Sequence, residues 1–269
     1  MQYGPKGCQS MPVLEEVNAL WTRYLEDRGE KGDFRRFIES VLLQGVSWQC
    51  GLRDRSFLPI VANGHLYYGG DQDWWAKRHF RLAGCGTMAA ADITAYTARA
   101  KGWQGLYAGE NAAGFIAKQD FLQHMDAVIA CLTPTMKGIP YVGYFQQGFE
   151  RFVCSRGYRV ESWCSYQEKC KPENALVDAL AYLLPNLMAD RPLACIHWFG
   201  VPRIRALNPE ECGESYSNMN WHWVVISGLA FVNGRVEVSL SSEGKLYRFD
   251  LQDFLQGRPY FLSAEIKKN

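Results

Sequence analysis

The run GCGTMAAADITAYTAR, residues 84–99, decides how the rest of the chain is read. Ala89, Ala90, Ala91, Ala95 and Ala98 are strong helix formers whose small side chains let a helix pack closely on its neighbours. The segment therefore predicts a buried helix that starts at Cys85, directly after Gly84. A cysteine at a helix N-terminus faces unpaired N–H groups and the positive end of the helix dipole, and both favour a thiolate. Gly84 and Gly86 lack side chains, which would let a substrate carbonyl approach the sulfur, and the Cys85 N–H could form part of an oxyanion hole. An inert cysteine at a glycine-flanked helix start would read the same way from this segment alone.

On either side of this run the texture differs. Upstream, Phe34, Phe37, Ile38, Val41 and Leu42 form one apolar stripe behind Asp33 as N-cap, ended by Gly45. A similar stripe runs through Leu14, Val17, Leu20, Trp21 and Tyr24, with Pro12 at its first turn. Residues 52–82 break into Gly- and aromatic-rich pieces that read as loops. Downstream, helical stripes fall at Leu122/Met125/Ile129, at Phe145/Phe149/Phe152, and from Leu176 to Leu187, where Pro185 should kink the helix. From Pro192 the period changes. Residues 193–198 and 223–232 read as strands, Asn233-Gly234 as a two-residue hairpin turn, and residues 235–240 and 245–250 as further strands. Helices first and strands later give an α+β fold: one domain, with a mainly helical lobe over about 1–190 and a mainly β lobe over about 191–269.

Composition narrows the function. The 269 residues carry 29 Lys+Arg against 28 Asp+Glu, a formal charge of +1, so there is no field to steer the chain onto nucleic acid. No stretch stays apolar long enough to cross a bilayer and the N-terminus is polar, so membrane insertion is not expected and the chain reads as cytoplasmic. Nine cysteines at irregular spacings, with no CxxC pair, read mostly as reduced core residues, although Cys164 could pair with Cys170. The five histidines show no close-spaced ligand pair, which disfavours a metal hydrolase, and no phosphate-binding glycine loop implies a cofactor.

The partner for Cys85 is His222, in Asn220-Trp221-His222-Trp223-Val224-Val225. A single histidine in an apolar strand is usually a core residue. This one follows Cys85 by 137 positions, within the roughly 130 to 150 that separate thiol and imidazole in papain-like chains.

Gly84-Cys85-Gly86-Thr87 with its Ala-rich helix, then His222-Trp223-Val224-Val225, then Ser241-Ser242-Glu243-Gly244, resembles the bacteriocin-processing-peptidase-like branch of the papain-like cysteine peptidases. That branch often shows Gly-Cys-Gly-Pro-Thr; here Thr87 follows Gly86 directly. The resemblance covers about residues 82–99 and 192–255. It implies a nucleophilic thiolate at Cys85, acid/base action at His222 and a third residue that orients the imidazole. By similarity to the branch's Ser-Thr-Trp-Gly segment, Ser241 takes that position and Glu243 replaces the tryptophan. An uninterrupted hairpin sets Val232 opposite Arg235 and His222 opposite Lys245, which places Ser241 and Glu243 on the His222 face with Glu243 the nearer. The oxyanion side chain, usually a Gln shortly before the thiol, has His79 and Gln72 as candidates. The expected activity is hydrolysis of a peptide or amide bond in a peptide or protein substrate. Acyl transfer on the same dyad, or an inactive module that binds a peptide, are the alternatives. Trp74, Trp75, Trp221 and Trp223 would then border an apolar or extended ligand, or simply lie in the core.

Overall fold

In a computed structural model, residues 31–45, 47–109, 114–167, 174–198 and 203–269 are described. The stripe from Leu14 to Tyr24 lies outside them. Helix α1 (Lys31–Gln44) includes Asp33, which the sequence reading sets before its first turn. Phe34, Ile38 and Val41 are its buried face, and Gly45, at φ +68°, ends it in the left-handed conformation that glycine adopts without steric cost.

The aromatic stretch 52–82 holds more regular structure than its composition suggests. After β1 (Trp48–Gly51), strands β2 (Pro59–Ala62) and β3 (His65–Tyr68) form an antiparallel hairpin. Its turn is Asn63-Gly64, both at positive φ, the same signal as at residues 233–234. A 3₁₀ turn (Gln72–Trp74) and α2 (Arg78–Ala83) lead into α3 (Cys85–Lys101). This helix starts where the sequence places it, and its residues from Gly86 to Tyr96 are all buried. A helix that is apolar nearly all round must lie inside the molecule.

The next stripes become β4 (Ile116–Ala117), α4 (Lys118–Cys131), α5 (Val142–Ser155) and α6 (Ala175–Met188). The last of these continues three residues past Pro185. Between α5 and α6 stands β5 (Tyr158–Gln167), a strand the sequence pattern does not announce. Then follow β6 (Leu193–His197), β7 (Ile204–Arg205), α7 (Pro209–Cys212), β8 (Tyr216–Ser217), β9 (His222–Val232), β10 (Arg235–Ser242), β11 (Lys245–Asp250), α8 (Leu251–Leu255) and β12 (Tyr260–Lys268).

The main sheet runs β11-β10-β9-β6-β12-β5, with every pairing antiparallel. Strand β9 is its organiser. One edge pairs with β10; the other pairs with β6 over residues 222–226 and with β1 over residues 228–231. The fold is α+β, but the sheet is not confined to residues after 190, because β1 and β5 come from the nominally helical part. Helix α3 packs on β9, so the elements carrying Cys85 and His222 touch directly. Trp223 of β9 stacks on Phe145 of α5 at 4.5 Å and 11°, which joins a second helix to the same strand.

Candidate active site

Cys85 is the first residue of α3 and is half-buried. Burial alone would push its thiol pKa up, since a thiolate loses hydration there. The neighbouring His222 ring and the backbone N–H groups of Trp223 and Gly86 favour the thiolate, and together they bring the pKa below the ordinary value. The same strand thus supplies both the imidazole and one of the N–H donors.

The glycines on either side of the thiol do not clear a path for substrate. A Cβ on Gly86 would run into the Ile139 side chain and lie 3.1 Å from Trp223, and one on Gly84 would meet the Trp75 ring and the Phe80 carbonyl. Their role is close packing around the cysteine.

His222 opens β9 and faces His197 across the β6 ladder. Its Nε2 lies 2.8 Å from the hydroxyl of Ser242. Neither Ser241 nor Glu243 takes this position, and the reason is a register shift. The hairpin begins as the sequence predicts, with Arg235 opposite Val232 and both turn residues at positive φ. Ser239 pairs with Gly228 but Leu240 pairs with Ile226, leaving Ser227 as the extra residue of a β-bulge. Beyond the bulge the pleat changes parity: Ser241 pairs with Val225, and Ser242 becomes the diagonal neighbour of His222.

Ser241 turns the other way, is 2% exposed, and donates its hydroxyl proton to the Tyr68 carbonyl at 2.7 Å. Glu243 occupies the two-residue turn between β10 and β11, at φ 52°, and is exposed.

On the far side of Ser241 is a carboxyl that the sequence reading passed over. Asp92, seven residues after Cys85 on α3, is 2% exposed. Its Oδ2 lies 3.2 Å from Ser241 Oγ, and its Oδ1 accepts the Gly70 N–H at 2.8 Å. Burial pushes its pKa up to about 8, against the smaller lowering effect of those two bonds. The Gly69-Gly70 segment fits here because it has no side chains: a Cβ on Gly69 would strike Ser241 and approach Asp92 at 2.8 Å. Gly244 completes the attachment, accepting from Tyr68 N–H at 2.8 Å and donating to Gly70 O at 2.9 Å.

This anchored loop delivers Gln72 to the site. Gln72, Cys85, Asp92, His222, Ser242 and Glu243 all border one narrow cavity of about 10 Å³, room for roughly one water. His79 is placed elsewhere, with Nε2 3.0 Å from the carbonyl of Pro134. Of the two oxyanion candidates, Gln72 is the one beside the thiol.

The four tryptophans divide. Trp75 and Trp223 are buried. Trp221 donates its indole N–H to the Lys137 carbonyl at 2.5 Å, and Trp74 packs edge-on against Tyr67 with Lys118 over its ring. Of the seven described cysteines, all free thiols, only Cys50, Cys195 and Cys212 are buried, so fewer are core residues than the sequence suggests. Among the described residues there is no cluster of three or more metal-ligating side chains, and no helix is long and apolar enough to cross a membrane.

The signals for the residues that the sequence reading missed are of unequal strength. Asp92 was visible as a lone acid within an Ala-rich apolar helix, whereas Ser242 depends on the bulge. A search against known families finds no match to the chain, and no curated protein matches it.

Proposed function

We propose that the protein is a thiol-dependent hydrolase of papain-like type, a cysteine peptidase that cleaves a peptide or amide bond through an acyl-enzyme. The observation that carries this reading is the row Cys85, His222, Ser242 around one cavity: a sulfur at a helix N-terminus, its thiolate favoured by a neighbouring imidazole whose Nε2 is held by a hydroxyl at 2.8 Å.

With Nε2 held by Ser242, Nδ1 is the nitrogen left for the sulfur. The Cys85 thiolate attacks the substrate carbonyl and forms a C–S bond. The resulting oxyanion is received by the Cys85 backbone N–H and the Gln72 amide. The imidazolium returns its proton to the leaving amine as the C–N bond breaks. Water, deprotonated by His222, then attacks the thioester, and the thiol leaves with that proton. Ser242 orients the ring and adds no charge. Because the space beside the sulfur holds about one water, the scissile group reaches it from the surface, with the remainder of an extended substrate lying outside. Capture of the same thioester by an amine would make the enzyme a transferase with unchanged residues.

The test is incubation with a peptidyl fluoromethyl ketone or a general thiol-protease probe, followed by mass spectrometry, alongside turnover of a mixed peptide library. Covalent modification at Cys85, with peptide cleavage lost in Cys85→Ala and His222→Ala, is the expected result. Cleavage that persists in Cys85→Ala overturns the proposal.

A further inference from the structure

A second cavity lies away from the thiol, between α1, α6 and β1, with a volume of about 170 Å³. Its walls are Phe37, Ile38 and Val41 from α1 and Leu184 and Met188 from α6, with Trp48 and Cys50 from β1. Two groups stand out in this apolar setting, and both are hydrogen-bond donors. Trp48 is 5% exposed, and among the described residues its buried indole N–H has no hydrogen-bond partner. Arg55 borders the cavity and is exposed, and among the described residues its guanidinium has neither an ion pair nor a hydrogen bond. The acids nearby are engaged elsewhere. Asp54 pairs with Arg99 at 3.3 Å, and Asp190 accepts from Tyr96 at 2.6 Å and from the Arg53 N–H at 2.9 Å. The Cys50 thiol, pushed up by burial to about 11, brings no negative charge at neutral pH.

A buried donor without an acceptor is costly, and an unpaired guanidinium at the mouth of an apolar slot is a carboxylate fork awaiting its partner. We propose that this cavity is a binding site for a medium-chain aliphatic carboxylate, its tail between α1 and α6 and its head group on Arg55. The volume sets the size. A cavity of about 150 Å³ accepts a benzene-sized body, so a tail of about six to eight carbons fits. The site is separate from the thiol: β1 joins β9 at residues 228–231, six or more residues past His222, a distance of about 20 Å along the strand.

The experiment titrates octanoate, octylamine and 1-octanol into the full-length protein, followed by calorimetry and tryptophan fluorescence. The proteins are the wild type, Arg55→Gln and Cys85→Ala, each with its fold checked by circular dichroism. Saturable one-site binding of octanoate is expected, at least about tenfold tighter than octylamine, weakened about tenfold in Arg55→Gln and unchanged in Cys85→Ala. The Cys85→Ala arm keeps this result independent of the peptidase reading. The proposal is overturned if octanoate shows no saturation into the millimolar range, if it binds no better than octylamine, or if Arg55→Gln binds it as well as the wild type.

Discussion

Replacing Asp92 by Asn should stabilise the protein increasingly as pH rises. A serine hydroxyl has one proton to give, and Ser241 gives it to the Tyr68 carbonyl at 2.7 Å. Asp92 Oδ2 lies 3.2 Å from the same oxygen: ionised, it competes with Tyr68 for that one proton, whereas neutral, its own O–H donates to Ser241 and both acceptors are served, with Oδ1 accepting from Gly70. An asparagine reproduces this pattern: its oxygen accepts from Gly70 and its amide donates to Ser241. Burial raises the Asp92 pKa from 3.8 to about 8, so across that window the native protein holds a proton that the unfolded chain has released. The associated stability is complete below the unfolded pKa and is lost as pH climbs to the folded one, at about 1.4 kcal/mol per pH unit. Asparagine does not titrate. The difference in unfolding free energy between Asp92→Asn and wild type should therefore move in favour of the variant by about 3 kcal/mol from pH 5 to pH 7.5, with a ceiling of about 6 kcal/mol over the full window from 3.8 to about 8. Urea unfolding of both proteins at the two pH values, followed by tryptophan fluorescence, measures this, and other titrating groups cancel in the difference. A gap that stays constant with pH would refute the neutral carboxyl. Asp92→Leu, which keeps neither hydrogen bond, should be destabilised at both pH values.

The remaining predictions concern the thiol and its neighbours. Ser242→Ala should lower kcat about tenfold by releasing the imidazole, whereas Ser241→Ala should lower the urea midpoint and leave kcat within about twofold; the reverse pattern in steady-state kinetics would restore Ser241 as the orienting residue. Gln72→Ala should reduce kcat by about 10²-fold or more with little change in KM, as expected of an oxyanion donor. Because the Cys85 pKa lies below the ordinary thiol value, iodoacetamide at pH 7 should label Cys85 before the exposed Cys154 and Cys164, and labelling should slow as pH falls through that lowered pKa. His222→Ala should remove the preference, read by peptide mass mapping. Gly70→Ala places a methyl group against Met88 and Phe121 and should cost about 1–3 kcal/mol in thermal or urea unfolding.

What the sequence made legible follows the reach of each signal. The 3.6-residue stripes and the Ala-rich run located α3 to α6 because a helix buries a face written in its own sequence. Lys245–Asp250 and the Val232/Arg235 pairing were readable because a two-residue Asn-Gly turn fixes register locally. The identical signal at Asn63-Gly64 was overlooked because the surrounding tyrosines, tryptophans and glycines resemble loop composition. Strand β5 is an edge strand with Tyr158 as its one buried residue, so it shows little alternation to detect. The bulge at Ser227 has a tertiary cause beyond local pattern: β1 draws alongside β9 at Gly228, where a Cβ on Gly51 would lie 2.9 Å from the Ser227 carbonyl and 3.1 Å from Gly228. Nothing within residues 222–243 alone announces that approach.

One residue count therefore stands between two chemistries. Were Ser227 taken into the ladder opposite Leu240 and the bulge lost, the pairing would run without interruption from the turn, His222 would come opposite Lys245, and Glu243 would become its diagonal neighbour on the same face. The imidazole would then meet a carboxylate in place of a hydroxyl, and the Ser242 side chain would turn to the face where Asp92 now meets Ser241. A one-residue slip of register at Ser227, five residues from the histidine and with every side chain retained, would exchange a neutral orienting group for a charged one.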